Sequence, residues 1–244
     1  MNYKLTLAYD GTRYRGWQRL PGNQRSIQGR IEAVLTRMEG VPVQIHGSSR
    51  TDAGVHAMGQ VASVQLSGDR SPKEILDYVN RHLPNDIGLL SVEPADPRFH
   101  ARLAPSYKTY RYRIWAGLAP CVFERRFCYC PERIPDGDKM AAAAQAFLGE
   151  HDFAAFHTGR TKKSTVRTVI RSEVDRVGPE LHFTVTGDGF LYNMVRIMAG
   201  TLLEIGWGDR PAEDIPRLLA GSERAEAGFT APPLGLCLME VRYL

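Results

Sequence analysis

The 244-residue sequence has little cysteine, no long hydrophobic run and no strong charge of one sign, and each shortage removes a class of protein. No window approaches the roughly 18 consecutive apolar residues that a membrane-spanning helix needs. Met1-Asn2-Tyr3-Lys4-Leu5 runs straight into a strand pattern rather than a charged-then-apolar leader, so a cytoplasmic protein without membrane attachment is expected. The four cysteines, Cys121, Cys128, Cys130 and Cys237, include a C-x-C but no C-x-x-C, and no histidine stands beside them at zinc-finger spacing. They are also too sparse for a disulfide framework and read as reduced thiols packed as small hydrophobes. Cofactor templates fail as well. No G-x-x-x-x-G-K-[ST] occurs, and Gly187-Asp188-Gly189 continues into Phe190-Leu191-Tyr192 without the third glycine of a dinucleotide fingerprint. Gly47-Ser48-Ser49 does not complete G-x-S-x-G, and no H-E-x-x-H is present. These absences leave a reaction that uses neither metal nor cofactor.

What is present is ordinary globular material: 43% hydrophobic and 24% charged residues, enough for one large core or two modest ones. The small net charge of +4 is unevenly spread. Basic residues outnumber acidic ones 13 to 10 over residues 1–103 and 11 to 6 over 104–168, whereas acids lead 11 to 7 over 169–244. A basic first two-thirds suits a surface that tracks phosphates, and suits equally a chance excess on a solvated surface.

Periodicity gives the organisation. Tyr3 to Tyr9 alternates as a strand. Ser26 then caps a helix whose Ile27, Ile31, Val34, Leu35 and Met38 form one apolar stripe. Strand patterns at Val43–His46, Gln60–Leu66 and Ile87–Val92 enclose a glycine-rich loop and a helix from Ser71-Pro72 to His82. After the turn at Asp96-Pro97 a similar order returns: strand Tyr107–Trp115, helix Gly137–Leu148, strands Val166–Val177 and Leu181–Thr186, helix Phe190–Ile205, short helix Ala212–Leu219 and strand Leu236–Tyr243. The expected architecture is α+β: two ferredoxin-like βαββαβ halves, 1–97 and 98–244, with antiparallel sheets flanking a central cleft where a site belongs. Residues 116–135 and 151–165 show neither period. The second of these holds the cationic Gly159-Arg160-Thr161-Lys162-Lys163-Ser164, a phosphate contact or a solvated turn.

One segment carries chemistry. Gly47-Ser48-Ser49-Arg50-Thr51-Asp52-Ala53-Gly54-Val55-His56-Ala57 packs small and polar residues with one Arg, one Asp and one His into a loop between strands. Gly47 and Gly54 permit left-handed backbone or close approach of a ligand, and such loops on a rigid sheet present reactive groups. The plainer reading is a polar turn with Asp52 bonded to its own backbone.

Arg50 to Ala57 resembles the signature loop of the TruA family of tRNA pseudouridine synthases, in which the Asp is essential. Further matches follow in order: Tyr9-Asp10-Gly11-Thr12-Arg13-Tyr14-Arg15-Gly16-Trp17-Gln18-Arg19, then Phe99-His100-Ala101-Arg102 with Tyr107-Lys108-Thr109-Tyr110-Arg111-Tyr112, then Phe190 to Gly200, then Ala231-Pro232-Pro233-Leu234-Gly235-Leu236. The resemblance implies a pseudouridine synthase fold and cofactor-free isomerisation of uridine to pseudouridine at tRNA positions 38, 39 and 40 in the anticodon stem-loop. It also implies a homodimer. Ser48-Ser49 departs from the family pattern, where Ala-Gly is more usual.

The resemblance gives roles to Asp52, Arg196, Tyr110 and Leu236, and the residue types suggest those of the arginines near the loop. Asp52 is the catalytic carboxylate, and Arg196 pairs with it, opposing the rise in pKa that burial brings; as a plain helix residue Arg196 would snorkel from the core. Tyr110 stacks on the flipped uracil, although Tyr112 points the same way by strand period and position alone does not choose. Arg50 is the candidate to brace the vacated stack; a phosphate contact or a salt bridge to Asp10 is the alternative. Leu236 lines the uracil pocket, while Arg13, Arg15 and Arg19 around Trp17 contact phosphate or sugar. An RNA-binding module without catalysis fits the element order too, but the aromatic strand of RNA-recognition sheets is not found.

Overall fold

The computed structural model of the protein describes residues 1–19, 25–103, 105–159 and 164–243, so the Lys162-Lys163 loop lies outside the described residues. In chain order the elements are β1 (Asn2–Tyr9), α1 (Ile27–Glu39), β2 (Ile45–Gly47), β3 (His56–Gln65), α2 (Pro72–His82), β4 (Ile87–Pro94), β5 (Pro105–Trp115), α3 (Gly137–Ala144), β6 (Gly149–Asp152), β7 (Val166–Val177), β8 (Glu180–Gly187), α4 (Met194–Gly206), α5 (Asp214–Leu219) and β9 (Leu236–Tyr243). They form two compact units, Met1–Ser106 with Cys237–Leu244, and Tyr107–Leu236. Among the described residues no helix is long and apolar enough to cross a membrane.

In the first unit, β1 lies between β4 and β3, antiparallel to both. The free edge of β3 is shared. Its later half pairs antiparallel with β2 (Ile45↔Val64, Gly47↔Ala62), and its first residues pair parallel with β9 (His56↔Cys237, Ala57↔Leu238). The order β4-β1-β3-β2 with two crossover helices is the ferredoxin-like arrangement expected. Strict alternation along β1 buries Tyr3, Leu5, Leu7 and Tyr9. Helix α1 begins where Ser26 Oγ accepts the Gly29 N–H and ends at Gly40 in left-handed conformation. Its Ile27, Ile31, Leu35 and Met38 are buried as the stripe requires, while Val34 at the stripe's margin is only half-buried. A capping box between Ser71 and Glu74 starts α2.

In the second unit the sheet runs β5-β8-β7-β6, antiparallel throughout. Phe147, Phe153, Phe156 and Phe183 fill its core, with Phe147 edge-on to Phe156 at 5.3 Å. Every residue of α4 except Arg196 and Glu204 is buried. Two boundaries differ from expectation in ways that matter for the site. Strand β3 starts at His56, not Gln60, so the end of the motif loop is already sheet. Helix α4 starts at Met194, not Phe190, because Asn193 before it takes φ 64°, which a continuing helix excludes. Likewise α3 stops at Ala144 and tightens into a 3₁₀ turn, and the segment after it contains β6, which carries no periodic signal.

Candidate active site

In the first unit the site is a loop held by a second loop. The segment Asp10–Trp17 lies against the backbone of Ser48–Val55. Trp17 N–H donates to Thr51 O at 3.0 Å and Gly54 N–H to Tyr14 O at 3.3 Å, while Ser48 N–H donates to Val61 O at 2.8 Å. This approach is possible because the facing residues are glycines. A Cβ on Gly11 would stand 2.0 Å from Val55 O, and one on Gly16, itself at φ 94°, would stand 2.6 Å from Thr51 O. The Trp17 indole is seated the same way, 2.4 Å from where a Cβ of Gly47 would be. Trp17 is therefore a buried wedge under the loop and not an exposed stacking platform.

Side chains complete the clamp. Fully buried Gln60 donates to Ser49 O at 2.8 Å and accepts from Ser49 N–H at 3.3 Å; the Tyr9 hydroxyl meets Thr51 Oγ1 at 2.8 Å. Val55 N–H closes the turn onto Asp52 O at 3.1 Å. Asp52, half-buried, thus sits in a turn whose backbone is bonded on both sides. His56 is buried and its Nδ1 accepts the Gly11 N–H at 3.1 Å. The same nitrogen lies 3.3 Å from Asp10 Oδ1, but having accepted one N–H it cannot also donate to the carboxylate, so the two make a close approach and not an ion pair. Gln60, Tyr9 and His56 are positioning residues that sequence reasoning did not single out. The readable signal was a glutamine directly before the mostly apolar Val61-Ala62-Ser63-Val64 of a strand.

The cations of this unit divide. Arg13 is committed to Asp86 through Nε at 2.9 Å and Nη2 at 2.5 Å, and the Tyr14 hydroxyl donates to the other oxygen of Asp86 at 2.6 Å. Burial and this bond raise the Tyr14 pKa. Arg19 lies 3.2 Å from buried Glu32, and Arg15 is exposed. Arg50 is exposed at the rim of a cavity of about 170 Å³ shared with His46 and Arg102.

In the second unit, half-buried Arg196 is fixed, not snorkelling. Its Nε donates to Ala231 O at 2.7 Å and its Nη1 to Asn193 Oδ1 at 2.8 Å, while Asn193 Nδ2 donates to Thr158 Oγ1 at 2.7 Å. The strained αL backbone of Asn193 is what aims its amide at both partners. Tyr110 and Tyr112 are both buried. Tyr110 packs edge-on to Phe190 at 5.2 Å, and the Tyr112 hydroxyl donates to Pro232 O at 2.8 Å. Leu236, buried, opens β9 directly after the turn Pro233–Gly235.

Known proteins bear on this arrangement. A family described as tRNA pseudouridine synthase matches residues 6–103 and 143–244. Asp52, Arg50, Arg13, Arg15 and Arg19 fall in the first stretch, Arg196 and Leu236 in the second, and Tyr110 lies outside both. The tRNA pseudouridine synthase A of Bacillus sp. (strain KSM-64) is 45% identical over 99% of this chain and 99% of its own. That of Geobacillus kaustophilus (strain HTA426) is 44% identical over 98% of this chain and 93% of its own. The tRNA pseudouridine synthase A 2 of Bacillus anthracis is 42% identical over 99% of each.

Proposed function

The chain belongs to the tRNA pseudouridine synthase family, and we propose that it isomerises uridine at positions 38, 39 and 40 of the tRNA anticodon stem-loop, without cofactor, with Asp52 as the catalytic carboxylate. The observation that carries this reading is the double anchoring of the Ser48–Val55 backbone around Asp52. A glycosidic bond is cut here without adding water, so the reacting carboxylate has to be held in place and sheltered.

In the reaction the N1–C1′ bond breaks, the uracil turns, C5 joins C1′, C5 loses its proton and N1 gains one. Asp52 supplies the anion that either attacks the sugar or base or takes a sugar proton. Arg196, oriented by Asn193 and Ala231, pairs with that carboxylate and keeps it ionised. Tyr110 stacks on the uracil and its hydroxyl assists departure of the C5 proton. The target nucleotide lies in a stem and must leave its stack, at roughly a few kcal/mol, with Arg50 bracing the gap. Leu236 lines the base pocket, and Arg13, Arg15 and Arg19 contact the backbone of the RNA. The enzyme works in the cytoplasm as a homodimer; sedimentation of the pure protein at 27.3 kDa would exclude the dimer.

Asp52→Asn is the decisive variant. Pseudouridine formation on unmodified tRNA should vanish while tRNA binding persists, and retained turnover would remove Asp52 from its role. Mapping pseudouridine in RNA from cells lacking the protein tests the target. Loss at positions 38 to 40 is expected; loss elsewhere would keep the chemistry and replace the site.

A further inference from the structure

The first unit has a second feature that the chemistry above does not use. A cavity of about 920 Å³ is walled by Arg13, Arg25, Arg30, Arg37 and His82 together with Tyr14, and among the described residues no carboxylate lines it. Arg30 and Arg37 stand on the exposed side of α1, opposite its buried stripe. Seven residues of helix separate them by about 10 Å along its axis.

In the groove's own wall Arg13 is matched by Asp86, and outside it Arg19 is matched by Glu32 and Arg70 by Glu39. Among the described residues Arg30 and Arg37 make no ion pair. Cations gathered this way repel one another and cost stability unless an anion is bound there. Guanidinium groups suit a phosphate diester in particular, through paired N–H donors. Ala33, Val34, Leu83 and Pro84 complete the wall, so the choice of an RNA backbone over a protein partner rests on the four arginines, which outnumber what a protein interface centre depleted in charge carries.

The groove is also joined to the catalytic loop. Tyr14 contributes to its wall, donates its hydroxyl to Asp86, and accepts the Gly54 N–H two residues from Asp52. We propose that this groove holds the sugar–phosphate backbone of the tRNA substrate away from the modified nucleotide, with Arg25, Arg30 and Arg37 as phosphate contacts and Tyr14 fixing the groove's register to Asp52. The proposal rests on the reading of the chain as a tRNA-modifying enzyme.

The test compares wild type, Arg30→Ala/Arg37→Ala and Arg30→Lys/Arg37→Lys on unmodified tRNA over a range of KCl, with direct binding measured in an Asp52→Asn background. The alanine pair should raise KM and Kd on the order of tenfold with kcat unchanged, and flatten the dependence of log Kd on log salt by about 2, since each arginine neutralises one phosphate. The lysine pair should restore most of the affinity. Wild-type Kd and salt slope in the alanine pair would overturn the groove and leave the proposed function standing. Absence of any turnover by wild type would overturn the proposed function, while the binding series would still read the groove. Should the alanine pair lose thermal stability, the lysine pair decides. Near-wild-type affinity with a wild-type Tm supports the groove, and weak affinity with a wild-type Tm overturns it.

Discussion

Tyr110 and Tyr112 leave β5 on the same side by strand period, and their surroundings separate them. Tyr112 is fully enclosed, and burial holds its pKa well above the ordinary phenol value, so it stays a donor to Pro232 O. Tyr112→Phe removes that donor and leaves a carbonyl under-satisfied, at about 1 kcal/mol, which lowers Tm by roughly 2–4 °C in a chain of this size. Calorimetry should show that loss with kcat unchanged, whereas Tyr110→Phe should lower kcat on tRNA; the reverse pattern would exchange their roles. The sequence could not make this choice, because strand period places both residues and says nothing of what each hydroxyl meets. Residue types alone mark Asp52 only as an acid in a polar, glycine-flanked loop, and its proposed role comes from the family resemblance of Arg50 to Ala57. Gln60 was legible only as a polar residue inside a strand; its partners, Ser49 O and Ser49 N–H, are backbone atoms that no residue pattern encodes.

Elements were legible where their pattern was long. The helices α1 and α2 start at the Ser residues that cap them, and β1 alternates without a break. The failures fall on short or strained pieces: β6 is four polar residues at a sheet edge, and the start of α4 turns on one αL asparagine. Between β5 and β8 a charged clamp adds to the ladder. Arg113 donates to both oxygens of Glu180 at 2.8 and 2.7 Å, and His182 Nε2 lies 2.8 Å from the same carboxylate. The Arg113 hydrogen bond above all holds the Glu180 pKa below its usual value. A carboxylate with a lowered folded pKa stabilises the fold above its unfolded value, about 4.3, and that contribution disappears as pH falls through the folded value. Glu180→Gln should therefore lower Tm at neutral pH, and the gap from wild type should close below about pH 4. A gap independent of pH in thermal melts would show that the carboxylate's charge is not what holds the two strands.

At the scale of the whole molecule, sequence order and spatial order part company at the last strand. Reading along the chain places Leu236–Tyr243 at the end of the second half, yet Cys237–Leu244 belongs to the first unit, with Cys237 and Leu238 paired to His56 and Ala57. Nothing in the apolar run Leu236-Cys237-Leu238-Met239 could announce this, because a buried strand reads alike on either sheet. The pairing has a consequence for the site. It grips β3 at its first residues, immediately after the Asp52 turn, and it comes close enough that a Cβ on Gly59 would stand 2.4 Å from Met239 O. The far end of the chain is thus one wall of the support under Asp52. Deleting Cys237–Leu244 strips the partner from the start of β3, whose amide hydrogens at His56 and Ala57 should then exchange faster, and the Asp52 loop loses its fixed end. On the proposed role of Asp52, turnover should fall through kcat, because the carboxylate is mispositioned, while tRNA affinity, on the proposed role of the unit's arginines, falls less. Hydrogen exchange combined with steady-state kinetics on the truncated protein checks both halves of that statement. Wild-type protection at His56 and Ala57 after the deletion would show that β3 holds the loop without β9.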